Sequence, residues 1–239
     1  MKDKKIVILH GWQSQLQRWQ PVKKELEHLG WQVFLPGLPG FGDSKIIKPW
    51  NLTNYVDWLR EYLQKNKLSN YFLLGHSFGG QISLKFGSLK QQGLRGLILV
   101  NSAGIRKGMT LKKAIFYILA KSGKAFFNLP LFSVFRRPAN NLLYKLAREQ
   151  DYHLASSLMK ETLRNVLKED MTPLFHKINI PTLIVWGKQD KTTPLKDGLT
   201  MKKKIAKSKI IVYDDIGHGL PFTKTQALVK IIDNFYQNA

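Results

Sequence analysis

The sequence predicts an α/β protein: a three-layer α/β/α sandwich around a mostly parallel, reduced sheet of about six strands, with an inserted α-helical cap. Three observations lead there. Short apolar runs rich in β-branched residues recur along the chain, and single amphipathic helical patterns separate them, the rhythm of a parallel sheet wound with helices on both faces. That rhythm breaks once, after Gly104, where helical patterns follow one another with no strand between them. It then resumes for two more strands.

In order, Lys5 to Leu9 reads as a buried parallel strand, and Arg18 to Leu29 as a helix closed by Gly30. Trp31 to Leu35 is the second strand. It leads into Pro36-Gly37-Leu38-Pro39-Gly40-Phe41-Gly42-Asp43-Ser44, a loop dense in turn formers. Leu52 to Gln64 is an amphipathic helix, Tyr71 to Leu74 a strand, and Gln81 to Lys90 a helix. Leu94 to Val100 is the fourth strand, ending at Asn101-Ser102-Ala103-Gly104. Helical patterns over Thr110 to Ala120, Asn140 to Arg148 and Leu154 to Leu167 fill the insertion. Pro181 to Trp186 and Lys209 to Tyr213 complete the sheet, with helices from Pro194 to about Ala206 and from Thr223 to Tyr236. The domain reading is a core of residues 1–104 and 176–239, with a helical cap, or lid, of residues 105–175.

A chain of 239 residues can bury a sizeable core as one domain with an insertion. It has no cysteine, which excludes disulfides and cysteine-based metal or redox chemistry. Behind Met1-Lys2-Asp3-Lys4-Lys5 stand only four apolar residues, Ile6 to Leu9, too few for the core of a signal peptide. No stretch approaches the roughly 20 apolar residues of a membrane span, so the expectation is a cytoplasmic protein. The formal charge of +22 raises the question of polyanion binding. The lysines are scattered over every helix, and no zinc-finger spacing or RNP aromatic motif accompanies them, so no specific nucleic-acid partner is expected.

The chemistry gathers at strand ends. Tyr71-Phe72-Leu73-Leu74 runs into Gly75-His76-Ser77-Phe78-Gly79-Gly80, the form of a nucleophile elbow, in which a strand delivers a serine on a turn that admits only small residues around it. A serine hydroxyl needs an imidazole to take its proton and a carboxylate to orient that imidazole. In an open parallel sheet such groups collect beyond the carboxyl ends of the strands. The chain offers Ser77 after the third strand, Asp190 after the fifth and His218 after the sixth. Among the other histidines, His28 is mid-helix, His76 adjoins the serine along the chain, His153 and His176 fall in or beside the insertion, and His10 reads as a brace for its loop. Asp214 and Asp215 rival Asp190 but share the loop of His218, where supporting a serine-facing imidazole is hard.

With these segments in hand, the chain resembles the α/β-hydrolase superfamily, in its single-domain, helical-capped, esterase- or lipase-like branch. The resemblance rests on His10-Gly11-Trp12, Leu38-Pro39-Gly40-Phe41-Gly42-Asp43-Ser44, Gly75-His76-Ser77-Phe78-Gly79-Gly80, Trp186-Gly187-Lys188-Gln189-Asp190 and Gly217-His218-Gly219, in family order over nearly the whole chain. It departs at the N-terminus, where the family usually has two further antiparallel strands; hence the reduced sheet.

The resemblance implies Ser77 as nucleophile, His218 as general base and then acid, and Asp190 as the residue that orients His218. It also implies an oxyanion hole of the backbone N–H groups of Trp12 and Phe78, which would touch substrate as well. Some relatives carry the acid after the strand that here ends at Val100, where this chain has Asn101. Substrate-binding residues of the cap are not identifiable. Its aromatic residues, among them Phe116, Tyr117, Phe126, Phe127, Phe132 and Phe135, point to an apolar acyl or aromatic substrate part. Interleaved Lys112, Lys113, Lys121, Lys124, Arg136 and Arg137 raise weak contact with anionic membrane surfaces.

The expected function is serine hydrolysis of a small-molecule carboxylic ester through an acyl-enzyme, with no metal and no organic cofactor, by a monomer or homodimer. The alternatives are other chemistries of the same triad (thioesterase, monoglyceride lipase, C–C bond hydrolase, aminopeptidase, haloperoxidase), or a ligand-binding or signalling protein with residual hydrolase activity.

Overall fold

The computed structural model describes residues 4–106 and 156–238. The patterns over Thr110 to Ala120 and Asn140 to Arg148, with the aromatic and basic residues of the insertion, lie outside the described residues. The strands are β1 (Lys4–Leu9), β2 (Trp31–Phe34), β3 (Tyr71–His76), β4 (Leu94–Val100), β5 (Thr182–Gly187) and β6 (Ser208–Tyr213). The helices are α1 (Gln20–His28), α2 (Leu52–Lys65), α3 (Phe78–Gly87), α4 (Ser157–Lys168), α5 (Leu195–Lys204) and α6 (Thr225–Gln237).

The strands form one sheet in the order β2-β1-β3-β4-β5-β6, every pair parallel. Alternation along each strand divides the core between two faces. Val7, Leu9, Leu73, Leu97, Leu99, Ile184 and Trp186 pack on one face with residues of α2, α3 and α5. Ile6, Ile8, Phe72, Leu74, Ile98, Val100, Leu183 and Val185 pack on the other with residues of α1 and α6. Continuous apolar runs are what strands buried on both faces require. Each such side chain, fully buried, contributes about 1.5–3 kcal/mol.

Register places the functional segments. Leu9 pairs with Gly75, His76 with Val100 and Gly187 with Tyr213, so five strands end at one edge of the sheet. The turns after them must therefore meet.

Three helix starts differ from the sequence expectation, each for a local reason. The helix expected from Arg18 begins as a 3-10 turn, Leu16–Trp19, and becomes α1 at Gln20, with Pro21 in its first turn. Proline fits there because its missing N–H would have no intrahelical partner. The closing helix is likewise preceded by a short helical turn, Leu220–Thr223, containing Pro221. α3 begins at Phe78, not Gln81, because Gly79 and Gly80 lie in its first turn in spite of their low helix propensity. Close approach, set out below, decides that case.

The chain divides into two compact units, Met1–Arg106 with Glu161–Ala239, and Lys107–Lys160. Glu161 to Phe175, assigned to the insertion by sequence, thus belong to the unit that contains the sheet. Side chains account for this boundary. Gln81 Nε2 of α3 donates to the carbonyls of Val166 and Glu169, at 3.1 and 3.3 Å, satisfying the C-terminal end of α4. The Glu169 carboxylate accepts from Leu52 N–H at the start of α2 and pairs with Lys85 Nζ of α3 at 2.6 Å. Val166, Met171 and Phe175 are buried in the core on that face. Asn51 and Asn54 close a reciprocal capping box at the head of α2. Among the described residues no helix is long and apolar enough to cross a membrane.

Candidate active site

β3 ends at His76, α3 starts at Phe78, and Ser77 alone makes the turn, with φ 53° and ψ −117°. An L-residue held there costs about 1–3 kcal/mol, so the surroundings must over-determine it. They do so with main chain. Ser77 N–H donates to Val100 O at 3.2 Å, and Ser77 O accepts from Gly80, Gln81 and Ala103 N–H at 3.0, 3.2 and 2.9 Å. Gly79 N–H donates to His10 O at 3.1 Å, tying the first turn of α3 to the loop after β1.

The glycines on either side of the serine are fixed by contact, as the motif predicts. A Cβ on Gly79 would lie inside van der Waals distance of Leu9 O, and one on Gly75 would strike the backbone of Gly79 and Gly80. The main chain of α3 therefore runs against β1 and β3 with no room for a side chain.

His218 lies on the loop after β6, its side chain 28% exposed, and its Nδ1 is 2.7 Å from Asp190 Oδ2 on the loop after β5, whose side chain is fully buried. Asp190 is saturated with donors. Oδ1 accepts from Thr192 N–H at 2.7 Å and Thr193 N–H at 2.9 Å. Oδ2 accepts from His218 Nδ1, from Thr193 Oγ1 at 2.8 Å and from the side-chain amide of Asn101. Burial alone would raise this carboxyl. The hydrogen bond and charge of His218, with the bonds from Asn101 and Thr193, outweigh it and hold the group down at about 2. Thr193 is itself anchored to the core, since Trp186 Nε1 donates to its carbonyl at 2.9 Å.

His76 links the serine turn to this pair. Its Nε2–H donates to the His218 carbonyl at 3.0 Å, and the two imidazole rings lie 4.9 Å apart. Burial, then the neighbouring charge of His218, lowers the His76 imidazole to about 3, so it is neutral at ordinary pH. Sequence reasoning passed over His76 because it adjoins Ser77; no local signal marks a side chain that bonds a backbone atom 142 positions away. Asn101 and Thr193 were missed as partners of Asp190 for the same reason. The rival carboxylates point elsewhere: Asp214 pairs with Lys188 and Asp215 with Lys224, each at 2.8 Å.

Trp12, in the turn after β1, and Phe78, at the start of α3, are in edge contact with ring centroids 5.2 Å apart. Phe78 opens α3, at the positive end of that helix, where the first N–H groups have no intrahelical partner. His10 braces the adjoining loop: its Nδ1–H donates to Gly11 O at 2.8 Å and its Nε2 accepts from Leu38 N–H at 3.0 Å. Burial lowers its imidazole too, in keeping with this neutral, two-bonded state. Phe41 packs edge-on against Trp12 at 4.8 Å, and Tyr55 against Phe78 at 5.0 Å. The result is an aromatic wall at the ends of β1 and β3. Among the described residues no three His, Asp or Glu side chains converge as a metal site requires.

A chain with this sheet and these turns can be set beside known proteins. The family described as alpha/beta hydrolase fold matches residues 4–225. Lipase 1 of Psychrobacter immobilis is 26% identical over 247 residues, covering 96% of this chain and 75% of the lipase. The 2-hydroxy-6-oxononadienedioate/2-hydroxy-6-oxononatrienedioate hydrolase of Klebsiella pneumoniae is 24% identical, covering 98% of this chain and 87% of that enzyme. Among solved structures, an esterase from Exiguobacterium antarcticum superposes with a TM-score of 0.74 at 24% identity, over 98% of this chain and 92% of the esterase.

Proposed function

The chain belongs to the alpha/beta hydrolase family, and on that premise we propose that it is a serine hydrolase of carboxylic esters, working through an acyl-enzyme. One observation carries the reading: a serine strained at a strand–helix turn is preceded by His76, which bonds the carbonyl of a histidine whose Nδ1 is held by a buried carboxylate.

In this mechanism Ser77 Oγ attacks the ester carbonyl while His218 Nε2 takes the hydroxyl proton. Asp190 keeps Nδ1 protonated and stabilises the imidazolium that results. The carbonyl oxygen, now anionic, is received by the backbone N–H groups of Trp12 and Phe78. Such donors are worth about 3 kcal/mol each in the transition state. The tetrahedral intermediate collapses, the C–O bond to the alcohol breaks, and the alcohol leaves with the proton from Nε2. Water then repeats the sequence on the acyl-enzyme, giving the carboxylic acid and restoring the Ser77 hydroxyl.

The wall of Trp12, Phe41 and Phe78 supports an apolar acyl or aromatic part in the substrate. In this reading the helical cap of residues 105–175, read from the sequence, contributes apolar residues that select the acyl part. Its contact with anionic membranes belongs to the same proposal; co-sedimentation with vesicles that ignores anionic lipid content would remove that part.

A fluorophosphonate probe tests the core of the proposal. Stoichiometric labelling of Ser77, with turnover across a panel of esters and thioesters of graded length, is the expected result. A folded protein that neither labels nor turns over would instead leave the ligand-binding reading in place.

A further inference from the structure

We propose that Asn101, assisted by Thr193, is a positioning residue for the acid–base pair, holding the Asp190 oxygen that receives His218 Nδ1–H charged and aimed. This rests on the reading of His218 and Asp190 as that pair.

Asn101 is fully buried at the end of β4. Its backbone is fixed on both sides: N–H donates to Val185 O at 3.0 Å, and its carbonyl accepts from Thr193 Oγ1 at 3.0 Å. At φ 44° it occupies the left-handed region, which asparagine tolerates better than most residues. The side-chain amide faces Asp190, and that neighbour decides its orientation. Only the NH2 end can meet a carboxylate, because the carbonyl end would set acceptor against acceptor. Turning Nδ2 to Asp190 leaves Oδ1 buried with no hydrogen-bond partner. An amide serving packing alone would be expected to find donors for both ends.

The choice of oxygen gives the bond its meaning. Oδ1 of Asp190 is held by two backbone amides of its own loop, which would be present whatever stood at position 101. Asn101 donates instead to Oδ2, the oxygen bonded to His218. Thr193 shares the task, but its single proton also has Asn101 O as an acceptor. The same Asn101 Nδ2 lies 3.4 Å from Gly217 O, beside His218 in the chain, so one amide touches both loops of the pair.

Among the described residues, the other titratable and charged groups around His218 are few. His76 of β3 faces its ring, Arg18 lies over the Phe222 ring at 4.3 Å, and the Lys188–Asp214 and Lys224–Asp215 pairs stand on the surrounding loops. None of these replaces the Asn101 bond.

The test compares Asn101→Asp, which keeps the shape and the left-handed preference but turns the donor into an acceptor, with Asn101→Gly, which suits the backbone and removes the donor. Thr193→Val serves as a third variant should Asn101→Asp fail to fold. The readouts are kcat and KM separately, the pH profile of kcat/KM on a short-chain nitrophenyl ester, and the NMR resonance of His218 Nδ1–H without substrate. With a donor lost, the charge on Asp190 Oδ2 is less compensated and favours the imidazolium form of His218 more strongly. The acid limb of the profile should therefore move to higher pH, by about one unit or more in Asn101→Asp, where a second carboxylate stands beside the pair. kcat should fall about tenfold or more while KM stays within about twofold. Folded Asn101→Asp and Asn101→Gly proteins whose pH profile, kcat and Nδ1–H resonance match wild type would overturn the proposal. Should wild type neither label nor turn over, the functional reading fails, and the Nδ1–H resonance still decides the role of Asn101.

Discussion

At the elbow Ser77 is held by main chain: five backbone hydrogen bonds at Ser77 and Gly79, and glycines pressed against β1 and α3. At the other side of the site His218 is held by side chains from separate elements, with Asp190 of the loop after β5 bonding its ring and His76 of β3 its carbonyl. The first arrangement is made of main chain from β1, β4 and the turn itself, and tolerates almost no change in residue size. The second is assembled from distant residues and can lose a member without losing the fold. Chemistry and stability should therefore separate differently in the two regions.

Substitutions can break that contrast. Ser77→Gly should lower ester turnover by about a million-fold while raising stability by roughly 1 kcal/mol, since glycine accepts the strained φ; kinetics and thermal unfolding on one preparation would check both signs. Asp190→Asn should lower kcat by about four orders of magnitude through the wrong imidazole tautomer, with a cooperative unfolding transition retained. Gly79→Ala should act the other way round. Its methyl group meets backbone, which cannot step aside, so a loss of about 3 kcal/mol or more in stability is expected by denaturant titration, with activity falling only as the folded fraction falls.

The smallest effect concerns His76 and pH. The unfolded imidazole binds a proton below about 6.5, whereas the folded one does so only near 3. Between those values the unfolded state holds the extra proton, so stability falls as pH falls, by about 1.4 kcal/mol per unit. Replacing His76 with Gln should remove that share of the slope between pH 6 and 4. An unchanged slope would mean that His10, buried and lowered in the same direction, carries it.

Much of the molecule was legible in the chain because its signals are local. Continuous apolar runs such as Leu94 to Val100 declare strands buried on both faces, and the register then brings their ends to one edge. The elbow could be read because its tight turn admits glycine and serine and little else. Helix starts were less legible. A 3-10 turn precedes α1 and a short helical turn containing Pro221 precedes α6, and Gly79 sits inside α3 against its propensity because β1 lies too close for any side chain.

What the sequence by itself determined is the sheet, the order of its strands along the chain and the serine turn, since each follows from periodicity or from steric limits over a few adjacent residues. Tertiary structure alone decided that His76 is a buried neutral donor and that Asn101 turns its amide to Asp190. Those outcomes depend on hydrogen bonds between residues up to 142 positions apart, and no local pattern encodes where such partners come to lie.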